Sequence, residues 1–206
     1  MIIINSNNDL LEKIHDKYLQ SQEAIFVILL AGCSRAGKST IGSAMQIFFL
    51  QRGINFLFVK LDSWLISVEE RKKNSTVSER YDMSAINLSV KELMQGGTVL
   101  PPVYDPVSRK RVEGLLGEPL RITNGILLIE GVTALADPAL ISISDLKIFI
   151  QIPDFTRLKR SIDFYKNLKM LNKIEYKKIL SDREREETVF VNSTGKNADL
   201  LFIPKY

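Results

Sequence analysis

Eight residues, Gly32-Cys33-Ser34-Arg35-Ala36-Gly37-Lys38-Ser39, fit the pattern G-x-x-x-x-G-K-[ST], the spacing of a phosphate-binding loop, or P-loop. The chemistry such a loop performs follows from its parts. Backbone N–H groups and the positive end of a following helix form a concave anion site. Lys38 is placed to reach β- and γ-phosphates, and the Ser39 hydroxyl to complete a Mg²⁺ shell. Two carboxylates stand at comparable places further along the chain. Asp62 follows the apolar run 56–61, and Glu130 closes the run Ile126-Leu127-Leu128-Ile129. Asp62 suits a group that accepts a hydroxyl proton, orients that hydroxyl, or holds a metal-bound water. Glu130 resembles the acid of a Walker B element, which serves Mg²⁺ directly or through water. Helix caps or solvated turn acids are the plainer alternative for both.

The elements that must position these groups are readable in outline. Residues 24–31 form an unbroken apolar run, as in a strand buried on both faces. Residues 40–52 carry Ile41, Ala44, Met45, Phe48 and Phe49 at helical spacing, with Gly53 as the stop. Further strands are expected at 55–61, 125–131, 146–152 and 199–203, and helices at 8–20, 85–95, 154–169 and 174–187. The stretch 67–84 reads as loop with short helix. Between 98 and 122 the apolar pieces are short and broken by Pro101, Pro102, Pro106, Gly114, Gly117 and Pro119, which suggests a β-hairpin leaving the main sheet. Strands alternating with helices imply an α/β fold, a parallel sheet with helices on both faces. Ligands of such sheets bind at the carboxyl ends of the strands, where the loop, Asp62 and Glu130 all fall.

Composition sets bounds. The chain has 206 residues, enough for one α/β domain with a small lid. Its net charge of +4 is mild, and no aromatic-interleaved basic stripe is present, so no nucleic-acid partner is expected. No apolar run is long enough to cross a bilayer, and residues 1–4 lack the basic flank of a signal peptide. The one cysteine, Cys33, excludes an internal disulfide framework and points to a cytoplasmic location. It lies inside the loop, where alkylation would block nucleotide, although a small filler residue is the plainer reading. The one histidine, His15, sits on the first helix, and its solitude argues against a His-ligated metal.

With those pieces placed, the chain resembles the uridine kinase and phosphoribulokinase family of P-loop small-molecule kinases. Leu61-Asp62-Ser63-Trp64 resembles the family's D-S/D-F-Y element, whose Asp is the catalytic acid/base. Arg80-Tyr81-Asp82 resembles its F/W-D-x-P stretch, and Gly97 through Pro102-Val103-Tyr104-Asp105 its substrate hairpin. Ile129-Glu130-Gly131, Asp145-Leu146-Lys147-Ile148-Phe149-Ile150 with Arg157 and Arg160, and the closing Ala198-Asp199-Leu200-Leu201-Phe202-Ile203-Pro204 follow in the family's order.

The resemblance implies one kinase domain over 1–206, with a substrate hairpin at 98–122 and lid helices at about 154–190. It implies ATP and Mg²⁺ as cofactors and a small-molecule acceptor, and leaves a homo-oligomer open. Gly32, Ser34, Arg35, Ala36, Gly37, Lys38, Ser39 and Thr40 are then the nucleotide site, and Ser39 and Glu130 the metal site. Asp62, Lys38 and Arg160 are the catalytic groups. The acceptor site is drawn as Asp62, Trp64, Tyr81, Tyr104, Arg109 and Arg111, with Trp64 either lining the cleft or packing beneath the hairpin.

Departures from the family pattern bear on the acceptor. Pro106 replaces the aromatic and Arg109 the histidine of the uridine kinases' Y-D-F-x-x-H-x-R hairpin, exchanging a stacking surface for a bidentate anion donor. Arg109, Lys110 and Arg111 suit a phosphate or carboxylate on the acceptor, or form a solvated hairpin tip. The lid is thinner too: Arg160 remains, Phe164-Tyr165 replaces its terminal pair, and Arg183 and Arg185 are candidates to restore the charge. The run 182–187 otherwise reads as a solvated, mixed-charge helix face. Two other classes stay open, a P-loop ATPase or switch acting on a protein partner, and a weakly active nucleotide-binding regulator.

Overall fold

The computed structural model describes residues 1–167 and 173–205. In chain order its elements are β1 (Ile2–Ile4), α1 (Asn7–Gln20), β2 (Ile25–Gly32), α2 (Lys38–Leu50), β3 (Phe56–Lys60), α3 (Met83–Met94), β4 (Thr98–Val99), β5 (Pro102–Asp105), β6 (Lys110–Leu116), β7 (Leu120–Arg121), β8 (Gly125–Glu130), α4 (Pro138–Ile143), β9 (Leu146–Ile150), α5 (Asp154–Asn167), α6 (Lys173–Asp182), α7 (Val189–Thr194) and β10 (Leu200–Phe202). Six strands form one sheet in the order β1-β10-β9-β2-β8-β3, every neighbouring pair parallel.

The hydrophobic pattern explains the layering. All eight residues of β2 and all six of β8 are buried, so helices must cover both sheet faces. Side chains alternate across the sheet. Phe26, Ile28 and Leu30 pack with Leu10 and Ile14 of α1 and with Met45 and Phe49 of α2. Val27 and Leu29 pack on the opposite face with Ile86 and Val90 of α3, Leu140 of α4 and Val191 of α7. Burying a side chain such as Phe49 contributes about 1.5–3 kcal/mol relative to exposure.

The strands and helices follow the expected pattern to within a few residues, with four differences. β1 and α4 add a short edge strand and a short helix that the sequence pattern did not indicate. The expected hairpin is two antiparallel tiers, β4 with β7 and β5 with β6, separated at Leu100 and Pro101. The helix expected over 174–187 starts at Lys173, gives way to a π-helical segment at Arg183–Thr188 and continues into α7. The expected end of α5 at Lys169 lies outside the described residues. Among those described, no helix is long and apolar enough to cross a membrane.

Candidate active site

The P-loop joins β2 to α2 at the centre of the sheet. Gly32 ends β2 opposite Ile150 of β9, and a Cβ added there would lie 2.5 Å from the Ile150 carbonyl oxygen. Only glycine allows the two strands that approach. Gly37, at the helix N-cap with φ of 100°, caps α2 with no side chain, so the first-turn N–H groups stay available to an anion. Lys38 is buried, and its Nζ donates to the carbonyls of Gly32 at 2.9 Å and Cys33 at 3.2 Å, bracing the loop from within.

β8 lies beside β2 and brings Glu130 to the loop, with Leu30 and Glu130 in register. Ser39 Oγ donates to Glu130 Oε2 at 3.1 Å, and Lys38 Nζ stands 3.7 Å from Glu130 Oε1. Burial pushes the Glu130 carboxyl above its ordinary range, only partly offset by Lys38. Among the described residues no three His, Cys, Asp or Glu side chains are grouped so that they could hold a metal ion. The hydroxyl and the single carboxylate therefore fit a hard cation that takes its remaining ligands from phosphates and water, the habit of Mg²⁺, and do not fit an all-protein cage.

Asp62 sits in a short 3₁₀ turn, Leu61–Trp64, that continues β3, the strand on the far side of β8. Its Oδ1 accepts from the Tyr81 hydroxyl at 3.0 Å. Tyr81 is buried, and both that burial and the Asp62 charge hold its phenol well above its ordinary value, so it donates as a neutral group. Backbone bonds from Ile66 N to Arg80 O and from Asp82 N to Trp64 O fix the Tyr81 segment against the turn. Asp62 is thus aimed by a rigid partner while remaining open to the cleft.

The opposing wall comes from α5 and the π-helical segment. Arg160 Nη1 donates to the Arg35 carbonyl at 3.4 Å, and Arg183 Nη1 to Ser34 Oγ at 3.5 Å. The Arg35 guanidinium lies 3.3 Å over the Phe164 ring, and burial together with the Arg183 charge pulls its pKa down. Lys38, Arg35, Arg160 and Arg183 therefore converge on one loop, a concentration of positive charge suited to a polyphosphate. All of these groups line a cleft of about 1460 Å³ at the carboxyl edge of the sheet.

The structure sorts the expected residues. Ser34, Arg35, Ala36, Gly37, Lys38, Ser39, Thr40, Asp62, Tyr81, Tyr104, Arg109, Glu130 and Arg160 line the cleft. Gly32 supports the loop from behind. Two expected acceptor residues are placed elsewhere. Trp64 is 3% exposed and belongs to the core with Tyr81 and Ile86, so it packs beneath the hairpin. Arg111 donates to the carbonyls of Leu65 at 2.9 Å and Trp64 at 3.0 Å and pairs with Asp82 at 3.6 Å, which spends its guanidinium on docking β6 to the Asp62 turn. Arg157, one helical turn before Arg160 on α5, does not line the cleft. It is buried in a bidentate pair with Glu184, at 2.6 Å for both bonds, which anchors α5 to the π-helical segment.

That segment also corrects the reading of 182–187 as a solvated face. Arg183 and Glu187 line the cleft, Glu184 holds Arg157, and Glu186 holds Arg80. Arg71 and Arg80 join the cleft as well. They lie in a polar stretch with no periodicity to mark them, and only the 106-residue reach from Arg80 to Glu186 brings that stretch onto the lid. Cys33 is buried at the foot of the loop, where its thiol meets Asn192 at 3.3 Å and burial raises its pKa. That placement matches the filler reading.

A parallel sheet, a P-loop-patterned turn at its centre and carboxylates at the ends of the two strands beyond it meet in one cleft, an arrangement suited to phosphates. Residues 27–202 match the family model described as the Phosphoribulokinase / Uridine kinase family. The chain belongs to that family. It is a small-molecule kinase, a phosphotransferase that acts on an alcohol group. It is 28% identical over 188 residues to a uridine kinase of Ligilactobacillus salivarius, covering 85% of this chain and 83% of that protein. It is 30% identical over 153 residues to a uridine kinase of Lactobacillus johnsonii, covering 70% and 69%. Among solved structures, a Silicibacter protein provisionally assigned as a fructose transport system kinase superposes with a TM-score of 0.74 at 16% identity, covering 95% of this chain and 98% of that one. A D-glycerate 3-kinase of Cryptococcus neoformans superposes with a TM-score of 0.59 at 8% identity, covering 92% and 87%. At those identities the structural likenesses speak for the fold.

Proposed function

We propose that this kinase uses ATP and Mg²⁺ to phosphorylate a hydroxyl of a small metabolite, with Asp62 as the group that receives the hydroxyl proton. The observation that carries this reading is the placement of Asp62 in the same cleft as Lys38, Ser39 and Glu130. Asp62 orients the acceptor hydroxyl and takes its proton as the hydroxyl oxygen bonds to the γ-phosphorus and the bond to the β-phosphate oxygen breaks. Tyr81 holds the Asp62 carboxylate in place through that exchange. The loop N–H groups, Lys38, Arg35, Arg160 and Arg183 bind the phosphates and counter the charge on them, and positioning with charge neutralisation supplies most of the rate. Ser39 and Glu130 would hold Mg²⁺, which when bound draws charge from the phosphate oxygens.

Nucleosides such as uridine and cytidine are one acceptor class, given the uridine kinases among the relatives. Sugars, sugar acids and sugar phosphates are the other. ADP release with ATP and Mg²⁺ across a panel of these compounds tests the reading. Stimulation by at least one of them is expected, and ATP turnover that no metabolite changes would overturn it in favour of an ATPase or switch.

A further inference from the structure

The outer end of the cleft, beyond Asp62, is built from the turn between β5 and β6 and from the loop that precedes α3. Arg71, Tyr104 and Arg109 line it. Arg71 is held in place: its Nε donates to the Ile66 carbonyl at 2.9 Å and its Nη2 to the Tyr104 hydroxyl at 3.1 Å. A guanidinium has five N–H donors in a planar fork, so three remain for another acceptor.

Counter-charges are distributed selectively around this end. Lys110 pairs with Glu69 at 2.8 Å, Arg111 with Asp82 at 3.6 Å, and Arg80 with Glu186. Among the described residues, neither Arg71 nor Arg109 has a carboxylate in ion-pair contact. The carboxylate of the turn itself, Asp105, accepts instead from the backbone N–H groups of Val107 at 2.9 Å and Ser108 at 3.0 Å. Burial pulls the Arg71 pKa down, Tyr104 partly restores it, and the Arg109 and Arg80 charges lower it again. An anion brought to this place would relieve that crowding.

Arg109 is held in an unusual way. Its φ is 60°, a left-handed conformation that glycine or asparagine adopts more readily. Its N–H donates to the Asp105 carbonyl at 2.8 Å and its own carbonyl accepts from Val68 N at 3.0 Å. The turn thus fixes a long cationic side chain among the residues that line the cleft.

We propose that Arg71 and Arg109, with the Tyr104 hydroxyl, bind a phosphate or carboxylate group carried by the acceptor, so that the acceptor is an acidic metabolite and not a neutral nucleoside. This rests on the reading of the Asp62 cleft as the acceptor site. Of the three basic residues at the hairpin tip, the structure leaves Arg109 for this task, since Lys110 and Arg111 are paired, and it supplies Arg71 from outside the hairpin.

Calorimetry on the full chain loaded with Mg²⁺ and a non-hydrolysable ATP analogue tests it. Matched pairs are titrated: ribose 5-phosphate against ribose for a phosphate, D-glycerate against glycerol for a carboxylate, with uridine as the neutral nucleoside. At least one acid should bind ten-fold or more tightly than its neutral partner and than uridine, and the pair showing it identifies the anion. Arg109→Gln and Arg71→Gln should each reduce that preference by about 10- to 100-fold, the worth of a hydrogen bond to a charged group. Arg109 is only half-buried and its two turn-fixing hydrogen bonds are made by its backbone, so Arg109→Gln keeps the test valid should Arg71→Gln fail to fold. Equal binding of acids and neutral partners, tighter binding of uridine, or a preference unchanged in Arg109→Gln would overturn the proposal. Failure of the ATP analogue to bind the wild-type chain would count separately, against the kinase reading.

Discussion

Replacing Glu130 with Gln should separate activity from stability. Glu130 is buried and 3.7 Å from Lys38 Nζ, an attraction of about 4–5 kcal/mol at an effective dielectric of 20. Removing a carboxylate from water costs several kcal/mol, so the two contributions nearly cancel. The direction of the Glu130 pKa shift shows that burial has the larger share. Lys38 is not stranded by the change, because the carbonyls of Gly32 and Cys33 still accept from it. The amide oxygen of Gln can also accept from Ser39.

The net effect of Glu130→Gln on folding should therefore lie within about 1 kcal/mol, or about 2–4 °C in melting temperature for a domain of this size. The pH dependence has a definite sign. A carboxyl whose folded pKa is raised binds more protons folded than unfolded, so wild-type stability falls as pH rises from about 4.5 through the raised value. The variant lacks that decline and should gain on the wild type as pH climbs through the same window. Activity should behave oppositely, with apparent Mg²⁺ affinity or turnover down about 10- to 100-fold. Thermal melts from pH 4 to 8 alongside Mg²⁺ titrations of ADP release read both. A melting temperature lowered by 8 °C or more would refute the cancellation argument, and unchanged Mg²⁺ dependence would remove Glu130 from the metal site.

Other perturbations test the remaining parts. Lys38→Ala should lower turnover by about 10²-fold or more, measured as ADP release, since it removes a buried donor from the phosphate cradle. Gly32→Ala should destabilise the fold by about 2–3 kcal/mol, read from the urea midpoint, because the new methyl meets the Ile150 carbonyl. Arg157→Met should cost about 2–3 kcal/mol, less than a fully buried pair because Glu184 is about one-third exposed. A double-mutant cycle with Glu184→Gln should return a coupling of at least 1 kcal/mol, and zero coupling would deny the pair its anchoring role.

The parts of this molecule that sequence discloses are those fixed by local pattern. The apolar runs of β2, β3 and β8 and the glycine spacing of the loop each carry their own geometry, and they lead to Lys38, Ser39, Asp62 and Glu130 directly. β1 was hidden because it is three residues long, two of them exposed, and gains its place by pairing with β10 at the other end of the sequence. Arg109 and Arg111 are two apart and would share a strand face under simple alternation, but the left-handed turn at Arg109 breaks that alternation and sends the two to different tasks. Arg183 sits among charges that read as solvated surface. A π-helical turn and the Arg157–Glu184 pair bring it onto the P-loop instead, through contacts between distant segments that no spacing rule encodes.

The most direct test of the central claim follows the γ-phosphate itself. Wild-type protein is incubated with γ-labelled ATP, Mg²⁺ and a small-metabolite extract, and the label is separated into organic ester and inorganic phosphate. Phosphoryl transfer governed by Asp62 predicts label in an organic phosphate ester. In Asp62→Asn the same product should fall by about 10²-fold or more, while ATP affinity stays within a few-fold. Label appearing only as inorganic phosphate, or an Asp62→Asn variant that transfers as well as the wild type, would contradict the account.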